Sequence, residues 1–304
     1  MITLPKFLKT GDAIALVSTA KKIDFSIVEN ARKHFENWGV RVVVGESATA
    51  SFYQFSGDDE VRANDFQTQL DNPNVKAIVC LRGGYGSVRI IDKLDFSEFV
   101  KNPKWIVGYS DITVIQNHIL KNYNIASLHA EMPLKFPIFP EINESLKTLK
   151  DAFFGKFEPL QPQPNALNKT GIAKGELVGG NLAILCNLLG SSSEIDTCGK
   201  ILFLEDVGEY LYAIDRMMMT LKRAKKLDQL AGLAIGQFTD LQDNEIPFGK
   251  TAYEIIAEHV ANYDYPVLFD ISAGHCEINK PMVFGGVYTM DVSEKFATLN
   301  SFIV

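Results

Sequence analysis

Lys104-Trp105-Ile106-Val107-Gly108-Tyr109-Ser110-Asp111-Ile112-Thr113 is an apolar run that stops at a glycine and carries a serine two residues later. Trp105, Ile106 and Val107 suit a buried strand, and Gly108 permits a sharp turn. From Asp111 to Lys121, Ile112, Ile115 and Ile119 recur near helical spacing, so the stretch reads as strand, tight turn, helix. Ser110 then stands at the mouth of a helix, where the first N–H groups lack intrahelical partners and favour a negatively charged oxygen. Two readings follow. As an N-cap, Ser110 satisfies one of those donors. Held on a strained turn, it presents its hydroxyl as a nucleophile in the manner of the G-x-S-x-G elbow, with Ile112 where that motif has its second glycine.

Outward from this stretch the elements alternate. Ala13 to Val17 is a short apolar run, and Asp24 to Trp38 places Ile27, Ala31, Phe35 and Trp38 on one helical face. Val40 to Val44 is the next strand, Asp58 to Leu70 an amphipathic helix, and Ala77 to Leu81 a third strand. The loop Arg82-Gly83-Gly84-Tyr85-Gly86-Ser87 follows, then a helix bearing Val88, Ile90, Ile91 and Leu94. Ile125 to Leu128 is a further strand beyond the serine. Such alternation predicts an N-terminal α/β domain over residues 1–154, a doubly wound parallel sheet of the Rossmann or flavodoxin type. Ligands bind such sheets beyond the carboxyl ends of the strands, so the Arg82 to Gly86 loop and the Gly108 to Ser110 turn border one site. The loop has neither a G-x-G-x-x-G arrangement nor a Walker lysine. Its glycines serve turn geometry or bring backbone N–H groups to an oxyanion.

Pro133, Pro137, Pro140, Pro159, Pro162 and Pro164 interrupt the next region. A helix over Glu141 to Phe154 and a linker over 155–170 are expected there. Residues 171–304 then read as a C-terminal α/β domain with a β-rich end. Gly175-Glu176-Leu177-Val178-Gly179-Gly180-Asn181-Leu182 leads into an apolar helix, and Lys200 to Leu204 is a buried strand running into Glu205-Asp206. Two carboxylates at a strand end are costly to bury without partners, so they are either solvated or functional. Tyr210 to Arg223 and Thr251 to Val260 read as helices, Leu233 to Phe238 and Pro266 to Phe269 as strands, and Met282 to Val304 as β-hairpin structure.

Composition bounds the function. The 304 residues are 46% hydrophobic and 22% charged, the balance of a soluble globular protein long enough for two domains. A net charge of -7 argues against a nucleic-acid binder, which carries a basic face. No secretory leader and no membrane-spanning apolar run is legible, so a cytoplasmic protein with no membrane partner is expected. Cys80, Cys186, Cys198 and Cys276 lack paired spacing and read as reduced thiols. Of the five histidines, His34, His118 and His259 sit in helices, and His129 follows a strand near the first-domain site. His275, in Ser272-Ala273-Gly274-His275-Cys276, occupies a loop after a strand, a setting that often carries catalytic groups. His275, Cys276 and Glu277 lack the spacing of a zinc site. Ser110, Glu205 and His275 supply nucleophile, acid and base in chain order.

Leu81-Arg82-Gly83-Gly84-Tyr85-Gly86, Gly108-Tyr109-Ser110-Asp111-Ile112-Thr113, Leu204-Glu205-Asp206, Ile214-Asp215-Arg216-Met217 and Gly274-His275 together resemble the LD-carboxypeptidase family of serine peptidases, which includes the microcin C immunity hydrolases. The likeness runs from Gly11-Asp12 to the tail. It implies a triad of Ser110, Glu205 and His275 in a cleft between the domains, and an oxyanion hole from the Gly83 and Gly84 region with Asp111. It implies substrate contacts from Asn181 and Tyr85, a homodimer, and no metal or organic cofactor. The implied reaction removes the terminal D-alanine from cytoplasmic murein tetrapeptides in peptidoglycan recycling. A microcin-type hydrolase of peptidyl or aminoacyl nucleotide amides, and a silent peptide-binding protein, are the alternatives. The chain departs from the family's usual His-Gly-Pro-Met at His129-Ala130-Glu131-Met132, and from Pro-Ser-Gly or similar at Ser18-Thr19-Ala20.

Overall fold

The computed structural model describes residues 1–302. The first half contains β1 (Ala13–Val17), α1 (Phe25–Asn37), β2 (Arg41–Val44), α2 (Asp59–Asp71), β3 (Val75–Cys80), α3 (Ser87–Ile90), α4 (Ser97–Lys101), β4 (Trp105–Gly108), α5 (Thr113–Tyr123), β5 (Ser127–His129) and α6 (Glu144–Phe153). The second half contains β6 (Gly171–Asn181), α7 (Leu182–Leu188), β7 (Ile201–Val207), α8 (Leu211–Arg223), β8 (Gly232–Thr239), α9 (Ala252–Val260), β9 (Val267–Leu268), β10 (Met282–Phe284), β11 (Val287–Val292) and β12 (Ala297–Ser301).

β1 to β5 form a parallel sheet in the order β2-β1-β3-β4-β5, the doubly wound arrangement expected from the alternation. Its central strands are apolar on both faces because helices cover both: all five residues of β1 and all four of β4 are buried, as parallel strands require. A second sheet, β12-β11-β6-β7-β8-β9, is parallel from β6 to β9 and antiparallel at the β11–β12 hairpin.

Several expectations change. Gly171 to Asn181 is an eleven-residue strand, where the sequence suggested only a lead into a helix. The helix expected after the glycine loop is split into α3, a 3-10 turn over Ile91–Lys93, and α4. The expected tail hairpin holds for β11 and β12, but Met282 to Phe284 crosses to the first sheet and pairs antiparallel with β5. Residues 171–304 therefore do not fold only upon themselves. Ile303 and Val304, the end of that tail, lie outside the described residues. Glu205 and Asp206 lie within β7 rather than beyond it, and both are buried, which removes the solvated reading.

Candidate active site

Ser110 opens a 3-10 turn, Ser110–Ile112, between β4 and α5. Its φ is +64°, in the left-handed region that a non-glycine residue enters only at a cost. Neither the 3-10 turn nor α5 has a side-chain cap, so the N-cap reading fails and the strained-turn geometry stands. The turn is tight because its neighbours lack side chains. An ideal Cβ on Gly108 would lie 2.8 Å from Ile112 Cγ1, and one on Gly83 would lie 3.1 Å from Ser110 Oγ. Gln116 Nε2 donates to the carbonyls of Gly108 (3.0 Å) and Leu128 (3.1 Å), fixing the strand end beneath the serine.

The glycine loop is anchored from below. Fully buried Arg62 donates through Nη1 to the carbonyls of Thr19 and Gly86. Asp111, also buried, accepts the Ser87 N–H at 2.8 Å. Burial pushes the Asp111 carboxyl above its usual range, against the pull of the Ser87 and Gly86 N–H groups and Arg62. Gly83 and Asp111 thus flank Ser110, while Tyr85 is exposed on the loop with its ring 6.2 Å from that of Phe55.

The second sheet brings the remaining groups. His275 Nδ1 pairs with Glu205 Oε2 at 2.6 Å, and the His275 backbone N–H donates to the same oxygen at 3.2 Å. Gly274 makes that approach possible. Its φ is +102°, and a Cβ there would lie 2.7 Å from the Glu205 side chain. Thr239 Oγ1 donates to the His275 carbonyl at 2.7 Å, and Asn279 Oδ1 accepts the Gly274 N–H at 3.0 Å. Gly274→Ala is therefore expected to destabilise the protein by roughly 1–3 kcal/mol from backbone strain, with a further loss of activity as Glu205 is displaced. Paired denaturant titrations and rate measurements check this.

The halves meet at the serine. The ring of Tyr109, which precedes Ser110, packs edge-on against His275 with centroids 4.8 Å apart. β5 continues the contact: His129 is in register with Gly108 on one side and Met282 on the other. Asn117 Nδ2 donates to the Gly179 carbonyl at 3.0 Å, and the Asn181 N–H donates to Thr113 Oγ1 at 3.2 Å. Asn181 was expected to bind substrate, but its side chain is engaged internally. Nδ2 donates to Asp206 at 2.9 Å, and Oδ1 caps α7 through the Ile184 N–H.

Burial and charge set the electrostatics. Burial pushes the His275 imidazole down, but the hydrogen bond and charge of Glu205, with Asp206 and Glu131 behind it, outweigh this and hold it above the ordinary range. Asp206 is pushed up to about 7 by burial and by Glu205. Glu131, 2% exposed, is pushed up to about 7 by burial, with the Met132 N–H, Lys135 and Tyr109 opposing. Fully buried His129 is pushed down to about 4 by loss of solvent. Cys276 is pushed up to about 12, chiefly by burial, so its thiol stays protonated. Tyr109 and Glu131 were not nominated from sequence. Tyr109 stood in the quoted stretch as an aromatic beside the serine, and Glu131 two residues beyond His129 as a carboxylate in an apolar segment.

The strained serine turn, glycine loop and histidine–carboxylate pair define a serine-type hydrolase of α/β architecture. The chain belongs to the LD-carboxypeptidase family: residues 14–130 match the LD-carboxypeptidase N-terminal domain and residues 174–290 the C-terminal domain. It is 32% identical to a probable murein peptide carboxypeptidase of Bacillus subtilis, across 98% of this chain and 94% of that protein. A murein tetrapeptide carboxypeptidase of Pseudomonas aeruginosa is 27% identical over 90% of this chain and 91% of its own length. Among solved structures, muramoyltetrapeptide carboxypeptidase from Oxalobacter formigenes superposes with a TM-score of 0.86 at 24% identity, covering 95% of this chain and 98% of that one. The microcin C7 self-immunity protein MccF, in complex with aspartyl sulfamoyl adenosine, superposes with a TM-score of 0.84 at 20% identity, covering 98% of each chain. These two structures share the fold. Among the described residues no helix is long and apolar enough to cross a membrane.

Proposed function

We propose that the protein removes the terminal D-alanine from murein tetrapeptides through a Ser110–His275–Glu205 triad, as a step of peptidoglycan recycling in the cytoplasm. The observation that carries the reading is a left-handed serine at a strand end whose neighbour Tyr109 packs against a histidine bonded to a fully buried glutamate. In the forward step His275 Nε2 takes the Ser110 proton as Oγ bonds to the scissile carbonyl carbon. Backbone N–H groups from the Gly83–Gly84 segment and Asp111 receive the oxyanion. The protonated imidazole, stabilised by Glu205, gives its proton to the departing amine as the C–N bond breaks. Water activated by His275 then cleaves the acyl-enzyme and releases the tripeptide. Asn181 acts by holding Asp206 and α7 in place, and Tyr85 contacts substrate from the glycine loop. The four described cysteines are free, which suits a reducing compartment, and a homodimer is the expected assembly.

Mass spectrometry of protein incubated with a murein tetrapeptide in the presence of chelator tests this. Loss of one alanine with wild type but not with Ser110→Ala is the expected result; no loss with either folded protein rejects it. One observation favours a second reading. Tyr210 and Tyr212 are part-exposed, with rings 5.6 Å apart, just past the strand that carries Glu205, a surface on which a nucleobase can stack. Hydrolysis of an aminoacyl nucleotide amide but not of the tetrapeptide would select it.

The pH profile tests the base directly. Activity needs a neutral imidazole, so it is lost as pH falls through the His275 midpoint, expected above 6.5. The Glu131 charge raises that midpoint. Glu131→Gln should therefore move the acid limb of kcat/KM to lower pH, and an unmoved limb rejects the assignment.

A further inference from the structure

We propose that the crevice between the ends of β1 and β3 is a carboxylate-binding subsite, in which Lys21 and Arg82 hold a carboxylate of the peptide substrate beside Ser110; it rests on the hydrolytic reading above. The strand order β2-β1-β3-β4-β5 reverses between β1 and β3. At such a switch point the connecting segments diverge and leave a ligand crevice beyond the carboxyl ends of the strands. Here the walls are the segment after β1, which contains Lys21, and the segment after β3, which contains Arg82.

The two walls touch. The Lys21 stem lies across the glycine loop, and a Cβ on Gly84 would meet its Cδ at 2.7 Å and Cγ at 2.8 Å. Its backbone is held by a bridge to Phe55. Arg82 Nη1 donates to the Lys22 carbonyl at 3.0 Å, while its Nε is buried without a hydrogen-bond partner. Arg82 precedes Gly83, which packs against Ser110, and Lys21 lies over Gly84, which follows it; consecutive Cα atoms are about 3.8 Å apart.

The cations are uncompensated. Among the described residues no ion pair includes Lys21 or Arg82, although the chain carries a net charge of -7. The neighbouring Arg62 and Arg89 both pair with Asp59. On the His275 side of Ser110 stand the buried carboxyl groups of Glu131, Glu205 and Asp206. A substrate anion is drawn to the side that carries Lys21 and Arg82, so the pair sets the register of a carboxylate-bearing peptide across the nucleophile. A guanidinium and an ammonium suit a carboxylate and give an amide no charge to meet.

The terminal carboxylate and an internal side-chain carboxylate share this chemistry, and the test separates them. Steady-state kinetics are measured for wild type, Lys21→Met and Arg82→Met on three peptides: the free tetrapeptide, its C-terminal amide, and the analogue amidated at the internal carboxyl. Lys21→Met keeps the stem over Gly84, and melting temperatures verify folding. Wild type is expected to favour the free acid over one of the amides by roughly 10–100-fold, and that amide identifies the bound carboxylate. Each variant should lose on the free acid, mainly through KM, at least tenfold more than on that amide. Equal losses on acid and amide, or no loss, overturn the subsite while leaving Ser110-dependent hydrolysis intact. Failure of wild type to cleave any of the three overturns both readings.

Discussion

Ser110→Ala is expected to lower turnover of a murein tetrapeptide by roughly 10^4–10^6-fold, the range lost when a triad nucleophile is removed, with little change in stability. The second half of that expectation comes from the local structure. The serine caps neither the 3-10 turn nor α5, so no capping bond is lost. An N-cap would instead lose about 1 kcal/mol with the alanine substitution. Ser110→Gly sharpens the contrast. Glycine enters the left-handed region freely, so relief of the +64° φ should raise stability by roughly 1 kcal/mol while activity is lost equally. Activity assays beside denaturant midpoints decide the matter. A destabilised alanine variant with proportionate activity loss would return Ser110 to a structural role. A more stable but inactive glycine variant would mean that the fold sustains strain here in order to expose a hydroxyl.

What was legible in the sequence follows from which forces are local. The parallel strands β1, β3 and β4 are recognisable because burial on both faces leaves apolar runs, in β3 from Ala77 onward, and α1 because it keeps an amphipathic stripe; α2 buries Arg62, Asp65 and Gln69 beside Phe66 and Leu70, so its stripe is weak. β6 was hidden by its own composition: four glycines with Lys174 and Glu176 make a poor strand by propensity. It is held as one by pairing with β7 on one side and β11 on the other. β10 is three residues long, and nothing within it specifies that its partner is β5 in the other sheet. The site divides in the same way. Ser110, Glu205 and His275 each had a local cue: a glycine turn, carboxylates ending an apolar run, and a glycine-preceded loop. The surroundings that tune them have weaker cues, an aromatic beside the serine and a carboxylate in an apolar segment, because their partners are distant in sequence. Tyr109 against His275 is a contact between the halves, and Glu131 reaches Tyr109 only because β5 lies beside β4 in the folded sheet.

Glu205→Gln carries the second large effect, expected as a loss of roughly 10^3–10^4-fold in kcat. The substitution keeps shape and an accepting oxygen, so the His275 Nδ1 and backbone N–H contacts can persist while the charge disappears. The imidazolium formed during proton transfer then loses its stabilising partner in a site where burial alone pushes the histidine down. The sign of the pH effect follows. With the Glu205 contribution gone, the His275 midpoint falls, so the residual activity should persist to lower pH than that of wild type. Stability should change little, because Glu205 is fully buried with Oε1 unpartnered, and an uncharged amide is cheaper to bury than a carboxylate. Glu205→Ala differs: it leaves a void against Gly274 and strips the His275 N–H of its acceptor, and roughly 2–4 kcal/mol of stability should go with it. A glutamine variant that retains most of its activity, or whose acid limb stays in place, would remove Glu205 from the proton-transfer step and leave it only a structural support for the His275 loop.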